Sequence, residues 1–235
     1  MKTGFVESKV LGLFSRRAKI HAVEALDPAF RLITLRGEAL AGARWTPGDK
    51  VQLALGGWTS RTYTPIAWEG SETRLVAYVH GDAPGALWAR DVAAGDECLL
   101  FGPRSSVDLA RLRRPGVVFG DETSFGLAAS LQATADGTRD AAFVFEVTSP
   151  AASRAVLDRL GISATVVARE PGDAHLAAVE ETLVRAFASR QATHGVLTGK
   201  ATSIQRLYKA LRSAGVPAAQ VRNRAYWAPG KRGLD

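Results

Sequence analysis

The sequence predicts two domains: an antiparallel β-barrel over residues 1–112, followed by an α/β domain with a parallel sheet over 113–235. Three observations carry this. Short alternating runs separated by turn residues fill the first part. The run Arg111-Leu112-Arg113-Arg114-Pro115 then makes a basic, proline-ended hinge. Beyond it, apolar strand-like runs alternate with helical ones.

In the first part, Lys19 to Ala25 and Phe30 to Arg36 alternate as strands around the turn at Asp27-Pro28. Pro47-Gly48-Asp49 turns the chain into Val51 to Leu55, and Gly56-Gly57 turns it again into a strand at Arg61. Pro65 is expected to stop that strand. Thr73 to His80 is the next. Gly81 to Pro84 then makes a loop, with helical turns after Gly85, and Ala94-Gly95 leads into a closing strand that ends at Arg104. Short strands at this spacing predict a small antiparallel barrel.

In the second part, strands are expected at Val117–Phe119, Ala141–Val147, Ala164–Ala168, Gly195–Thr198 and Gln220–Trp227. Helices are expected at Ser124–Ala135, Ala151–Leu160, Leu176–Arg190 and Ser203–Ala214, the last ended by Gly215. Strictly alternating strands and helices imply a parallel sheet covered by helices, which binds ligands at the carboxyl ends of its strands.

Composition narrows the class. With 235 residues and 46% hydrophobic content the chain can bury a sizeable core, and its mean hydropathy of -0.01 fits a soluble protein. No apolar run is long enough to span a bilayer, so stable membrane insertion is not expected. Cys98 is the only cysteine, which excludes a disulfide framework and a cysteine metal site. The first residues lack the sustained apolar segment of a secretory signal, and a cytoplasmic location is the simplest expectation. The net charge of +7 favours anionic partners. It is spread along the chain rather than gathered in an arm, so nucleic acid is not an expected partner, although a basic RNA- or anion-binding protein without enzymatic activity is the alternative from another class.

The chemistry-bearing motifs follow in chain order. In Arg61-Thr62-Tyr63-Thr64, strand alternation puts Arg61 and Tyr63 on one face and the two threonines on the other. A guanidinium beside an aromatic ring, with hydroxyls near, suits a flavin nucleotide: phosphate, ring system and redox-active nitrogen each find a partner. Read alone, the run is ordinary strand chemistry. Directly after the strand that follows come His80-Gly81, a candidate hydrogen-bond donor and a loop, and Gly85-Ala86 with Trp88 at a helix start, where backbone N–H groups suit a pyrophosphate. Gly120-Asp121-Glu122-Thr123 stands at a strand's carboxyl end but lacks the glycine-rich dinucleotide fingerprint. Asp121 or Thr123 is equally an N-cap, and the two carboxylates oppose a phosphate, so a bound nicotinamide dinucleotide would turn its ring end towards them. Thr148-Ser149 with Arg154 suits a 2′-phosphate and leans towards NADPH over NADH. Thr198-Gly199-Lys200 is too incomplete for a P-loop, and ATP is rejected. At the C-terminus Arg222, Arg224 and Tyr226 share a face, and Trp227 precedes a basic turn. Of the histidines, His21, His175 and His194 show no ligand spacing and are read as incidental.

With these residues in view, the chain resembles the ferredoxin-reductase-like flavoproteins and, among them, the siderophore-interacting, or ferric-siderophore reductase, family. The resemblance runs in order along almost the whole chain. Arg61-Thr62-Tyr63-Thr64 is similar to the family's flavin motif, in which the Arg reaches the flavin phosphate, the Tyr packs on the ring system and the Thr sits near its N5. The run from His80-Gly81-Asp82 to Trp88 resembles the pyrophosphate loop, and Gly120-Asp121-Glu122-Thr123 the opening of the family's second domain. Tyr226-Trp227, before Pro229-Gly230-Lys231, resembles its closing motif. Lys200 departs from the family, which more often has Gly-Glu after that strand. Pro65-Ile66 also departs, where an Arg often follows, and the segment from Gln52 to Arg61 is short. The resemblance implies FAD and NADPH (or NADH) as cofactors, with Tyr63 and Thr64 at the reacting ring. It implies reduction of an anionic ferric siderophore or related ferric chelate. Charge and position add a basic mouth of Arg104, Arg224, Lys231 and Arg232. The related alternative is a flavin reductase module that passes electrons to a protein partner, a ferredoxin or a haem monooxygenase.

Overall fold

The computed structural model describes residues 15–56, 59–107, 115–133, 141–189 and 194–231. Most of the hinge run, residues 111–114, and Arg232 of the basic mouth lie outside them. The chain divides into two compact units, Met1–Ser105 and Ser106–Asp235, a break that falls ahead of the hinge read from the sequence.

The first unit contains β1 (Arg16–Asp27), β2 (Phe30–Arg36), β3 (Lys50–Ala54), β4 (Ser60–Tyr63), β5 (Pro65–Glu69), β6 (Glu72–Tyr78), the helix α1 (Pro84–Asp91) and β7 (Glu97–Arg104). The strands form one antiparallel seven-stranded sheet in the order β4-β3-β7-β1-β2-β6-β5. Strand β5 corrects the sequence reading of Pro65 as a stop. The proline ends β4 but opens β5, because the first residue of an edge strand needs no ladder N–H. The topology explains the barrel. Strands β4 and β5 are the two edges of the sheet, yet only Thr64 separates them in the chain. A flat sheet would hold its edges six strand spacings of roughly 4.8 Å apart, beyond the reach of one residue. The sheet therefore curls until its edges meet at Thr64.

Alternation fills this barrel. Ile20, Ile33, Leu35, Val51, Leu53, Leu75 and Leu100 point inward, and none is more than 2% exposed. Cys98 joins them as a small core residue. Burial pushes its thiol up to about 12, so it stays protonated and unreactive. Helix α1 closes against the core through Ala86 and Ala89, whose small side chains let it lie close.

The second unit contains β8 (Pro115–Gly120), α2 (Phe125–Gln132), β9 (Ala142–Val147), α3 (Pro150–Arg159), β10 (Ala164–Ala168), α4 (Leu176–Ser189), β11 (His194–Lys200), α5 (Ala201–Ser213) and β12 (Val221–Trp227). Its five strands are all parallel, in the order β10-β9-β8-β11-β12. The central strands are buried on both faces, which is why Val117-Val118-Phe119 and Phe143-Val144-Phe145 read as unbroken apolar runs. Helices α4 and α5 cover the sheet through Leu176, Val179, Leu183 and Ile204, Leu207, Leu211, at helical spacing. The chain leaves β8 towards β9 on one side and later returns to β11 on the other. The carboxyl end of β8 is therefore the topological switch point of the sheet, where such folds bind ligands.

Candidate functional site

At the seam of the barrel, β4 pairs with β3 so that Arg61 lies opposite Leu53 and Tyr63 opposite Val51. Arg61 and Tyr63 share a face, as alternation required. Both lie against Gly85 of α1: a side chain there would put its Cβ 3.1 Å from Arg61 Cγ and 3.6 Å from the Tyr63 hydroxyl. Glycine thus lets the helix start lie against the aliphatic stem of Arg61 and the Tyr63 hydroxyl. The α1 N-cap, Ala83, has no side-chain cap and Pro84 brings no N–H, so Gly85 supplies the first backbone donor of the helix. Arg61 donates one N–H to the Ser60 carbonyl at 2.7 Å, which steadies the fork. Burial drives the Tyr63 hydroxyl well above its usual range, against the opposing pull of Arg61, so it remains neutral. Its ring lies 5.6 Å from that of Trp88. At the far end of the loop, Arg90 donates to the Gly81 carbonyl at 3.0 Å and holds the turn closed. His80 stacks on Tyr78 at 4.6 Å, and Tyr78 packs on Phe30 at 4.9 Å. Thr62 and Thr64 are half-buried on either side of Tyr63. Arg104, the last residue of β7, hydrogen-bonds Gln52 of β3.

In the second unit, the carboxyl ends of the strands converge on a buried charged cluster. Asp121 follows β8 and caps the turn Glu122–Ser124: its Oδ1 accepts from the Thr123 N–H at 2.9 Å. Its Oδ2 accepts from the Trp227 indole N–H at 2.7 Å, which ties the end of β12 to the switch point. Asp121 is 1% exposed, and burial raises its carboxyl above the ordinary range despite the hydrogen bonds from Thr123 and Trp227 and the charge of Arg169. Any stability tied to this shift is present below the unfolded pKa and is lost as pH rises through the folded one. Glu122 accepts from the Thr148 N–H at 2.6 Å, beyond β9. Arg169, directly after β10, meets Glu122 at 2.9 Å, Asp121 at 3.5 Å and Glu146 at 3.9 Å, and donates to the Thr148 hydroxyl at 3.0 Å.

Behind Arg169, Glu146 is fully buried on β9. It accepts from Ser203 at 2.8 Å and meets His175 Nε2 at 2.8 Å. The Glu170 N–H donates to His175 Nδ1 at 3.2 Å, which leaves Nε2 as the protonated, donating nitrogen of a neutral ring. His175 is thus a buried structural partner and not incidental, which corrects the sequence reading. Spacing along the chain could not show it, because its partner lies on another element.

Lys200 closes β11 and pairs with Asp173 at 2.7 Å. This hydrogen bond holds the Asp173 carboxyl below its ordinary range. The contribution is present above the unfolded value near 3.8 and is lost as pH falls through the lower folded value. Asp173→Asn is expected to remove that acid-dependent part, about 1 kcal/mol at most because solvent screens the partly exposed pair. Denaturant midpoints near neutrality and in acid check it; an unchanged difference between them would assign the acid sensitivity elsewhere.

Comparison with known proteins agrees with this division. The family model described as siderophore-interacting FAD-binding domain matches residues 57–107, and that described as siderophore-interacting protein matches 115–230. The chain belongs to the siderophore-interacting protein family. Solved structures share its fold. A siderophore utilization protein from T. fusca is 23% identical with a TM-score of 0.73, over 94% of this chain and 95% of that one. The siderophore-interacting protein SipS from Aeromonas hydrophila is 18% identical with a TM-score of 0.70, over 93% of each chain. The Amycolatopsis cytochrome P450 reductase GcoB is 18% identical with a TM-score of 0.70, over 92% of this chain and 71% of that one. These likenesses place the chain with the ferredoxin-reductase-like flavoproteins in fold. No curated protein matches the sequence.

The family is FAD-binding, and the residues of the first unit fit that group. The space left by Gly85 against Arg61 and Tyr63 gives a cation, a backbone donor and an aromatic hydroxyl on one face. The second unit offers a nucleotide two different ends. The β8 loop does not suit a pyrophosphate: a Cβ at Gly120 would lie 2.3 Å from Ser124 Cβ, and one at Gly199 would lie 2.5 Å from Asp121 Oδ2. Protein side chains already fill the space that a dinucleotide's glycines keep open. At the end of β9, Ser149 is an N-cap without a side-chain cap bond, and the exposed Arg154 donates to the Val166 carbonyl at 3.5 Å. Arg169 and Glu146, the centre of the buried cluster, were not singled out from sequence. The available signals were a glutamate inside the apolar run Phe143-Val144-Phe145-Glu146-Val147 and an arginine at a strand's carboxyl end.

Proposed function

We propose that this chain is an FAD-dependent reductase of ferric siderophores or related ferric chelates, supplied with electrons by NADPH or NADH. The observation that carries the reading is the approach of α1 to Arg61 and Tyr63 at the barrel seam, within the span matched by the FAD-binding model. Bound FAD supplies the redox chemistry, accepting a hydride and passing on single electrons. Per nicotinamide, two ferric ions are reduced and one proton is released. Arg61 and the Gly85 N–H hold the phosphates, with Gly81, Ala86 and Trp88 shaping the loop. Tyr63 would face the ring system, Thr62 and Thr64 would offer hydroxyls, Thr64 to the redox-active nitrogen, and His80 would donate at the loop's edge. In the second unit, Gly120, Asp121, Glu122 and Thr123 with Tyr226 and Trp227 receive the ring end of the nicotinamide nucleotide. Ser149 and Arg154 receive a 2′-phosphate, which favours NADPH. Arg104, Arg224 and Lys231 supply positive charge for an anionic chelate, together with Arg232 beyond the described residues.

The test is the visible spectrum of the purified protein, before and after anaerobic NADPH and then a ferric chelate. A yellow protein bleached by NADPH and recoloured by the chelate is expected. A colourless protein that takes up no FAD would overturn the reading. A second reading, a reductase serving a protein partner, draws support from the likeness to the P450 reductase fold. It requires that the bleached protein be recoloured by an oxidised ferredoxin and not by the chelate.

A further inference from the structure

We propose that Arg169 is a positioning residue that fixes the plane of the Trp227 indole, directly at its face and, through Asp121, at its N–H edge. The inference rests on the reading of the second unit as the site of the nicotinamide ring. Two restraints define a plane. The guanidinium carbon of Arg169 lies 5.9 Å from the Trp227 ring centroid, within cation–π range. The indole N–H is donated to Asp121 Oδ2 at 2.7 Å, and the same oxygen lies 3.5 Å from Arg169. An indole held at one face and at its nitrogen has lost both tilt and spin.

Arg169 is itself held for this task. Glu122, at 2.9 Å, and the Thr148 hydroxyl, at 3.0 Å, take one end of the fork. Its Nε and Nη2 are buried without a hydrogen-bond partner among the described residues, facing Glu146 at 3.9 Å and Asp121 at 3.5 Å. These distances are too long for hydrogen bonds yet short enough for strong attraction in a poorly solvated site. The guanidinium is thus bound to Glu122 at one end and drawn towards Asp121 and Glu146 at the other, with the indole face beside it. Asp121 feels Thr123, Trp227, Arg169 and Glu122, with Glu146 and the neutral His175 behind the arginine. Among these Arg169 is the cation, so its removal favours the protonated carboxyl and weakens the acceptor that holds the indole.

The experiment uses the FAD-loaded full chain and its Arg169→Gln and Arg169→Lys variants, each also made with Trp227→Phe so that the emission of Trp227 is isolated by difference. In Arg169→Gln, the pH midpoint of the Trp227 signal is expected to move upward and acrylamide quenching of that signal to increase. The rate of flavin bleaching by saturating NADPH is expected to fall on the order of ten- to a hundredfold, the scale of a misplaced reacting group. Arg169→Lys restores the charge but not the flat fork, so the midpoint returns while the quenching and the slow bleaching remain. If Arg169→Gln folds with an unchanged midpoint and unchanged quenching, the proposal is overturned; if it does not fold, Arg169→Lys with wild-type quenching overturns it equally. Should NADPH fail to bleach even the wild-type protein while the Trp227 signal responds as described, the positioning stands and the nicotinamide reading falls.

Discussion

Arg61→Ala is expected to leave the protein colourless on purification and to weaken FAD rebinding by about ten- to a hundredfold. The estimate follows from the roughly 1.5–3 kcal/mol of a hydrogen bond to a charged group, at 1.4 kcal/mol per tenfold. The geometry gives the reason for so large an effect from one residue. The guanidinium is steadied by the Ser60 carbonyl, and its aliphatic stem lies against the helix start at Gly85, so the cation extends from beside the first backbone donor of the helix. Removing either leaves the other without the geometry that makes it strong. Arg61→Lys should recover only part of the loss, because an ammonium cannot present the paired donors of a fork. Titration of apo-protein with FAD by flavin fluorescence measures both. Wild-type affinity in Arg61→Ala would mean that the phosphates are held by other residues.

Glu146→Ala is expected to destabilise the second unit by about 3–5 kcal/mol, the usual consequence of removing one member of a buried charged pair. Glu146 is fully buried and serves three elements at once: Ser203 at the start of α5, His175 before α4 and Arg169 after β10. Its loss leaves a buried hydroxyl and an imidazole N–H without their acceptor and removes a carboxylate that attracts Arg169. Glu146→Gln keeps the shape but offers an amide in place of a charged acceptor, and should cost less. Chemical denaturation followed by Trp227 emission gives the comparison. A change below about 0.5 kcal/mol in Glu146→Ala, the range of ordinary surface substitutions, would show that the cluster contributes little.

Much of the architecture was legible because it obeys two simple periods. Alternation in Phe30-Arg31-Leu32-Ile33-Thr34-Leu35-Arg36 and the four-residue rhythm of Leu176, Val179 and Leu183 come from one buried face, and each can be read locally. The common face of Arg61 and Tyr63 was legible for the same reason, since alternate residues of a strand share a side. Strand β5 was not, because a proline reads locally as punctuation, whereas only its place at the sheet edge makes it a strand opening. The buried cluster was invisible for a deeper reason. Glu146, Arg169, His175 and Trp227 are strangers along the chain, and no spacing rule links residues that meet only because five parallel strands end at one place. Asp121 shows both situations in one residue. Its capping of Thr123 was readable from the local pattern, and its bond to Trp227 was not.

The joining of the barrel's two edges by Thr64 alone carries a consequence for how the cofactor and the fold depend on each other. Cutting the chain between Thr64 and Pro65 would interrupt no strand ladder, since β4 and β5 each pair only with their inner neighbours. The ring is thus shut by a single covalent clasp, and this clasp lies within the Arg61–Thr64 motif. A ligand that grips both Arg61 and the α1 start fastens the same joint from outside the backbone. Its binding energy is then returned as resistance to opening of the ring, in proportion to the logarithm of its concentration over its dissociation constant. A ligand held there would complete a closure that the strand ladder leaves to one residue.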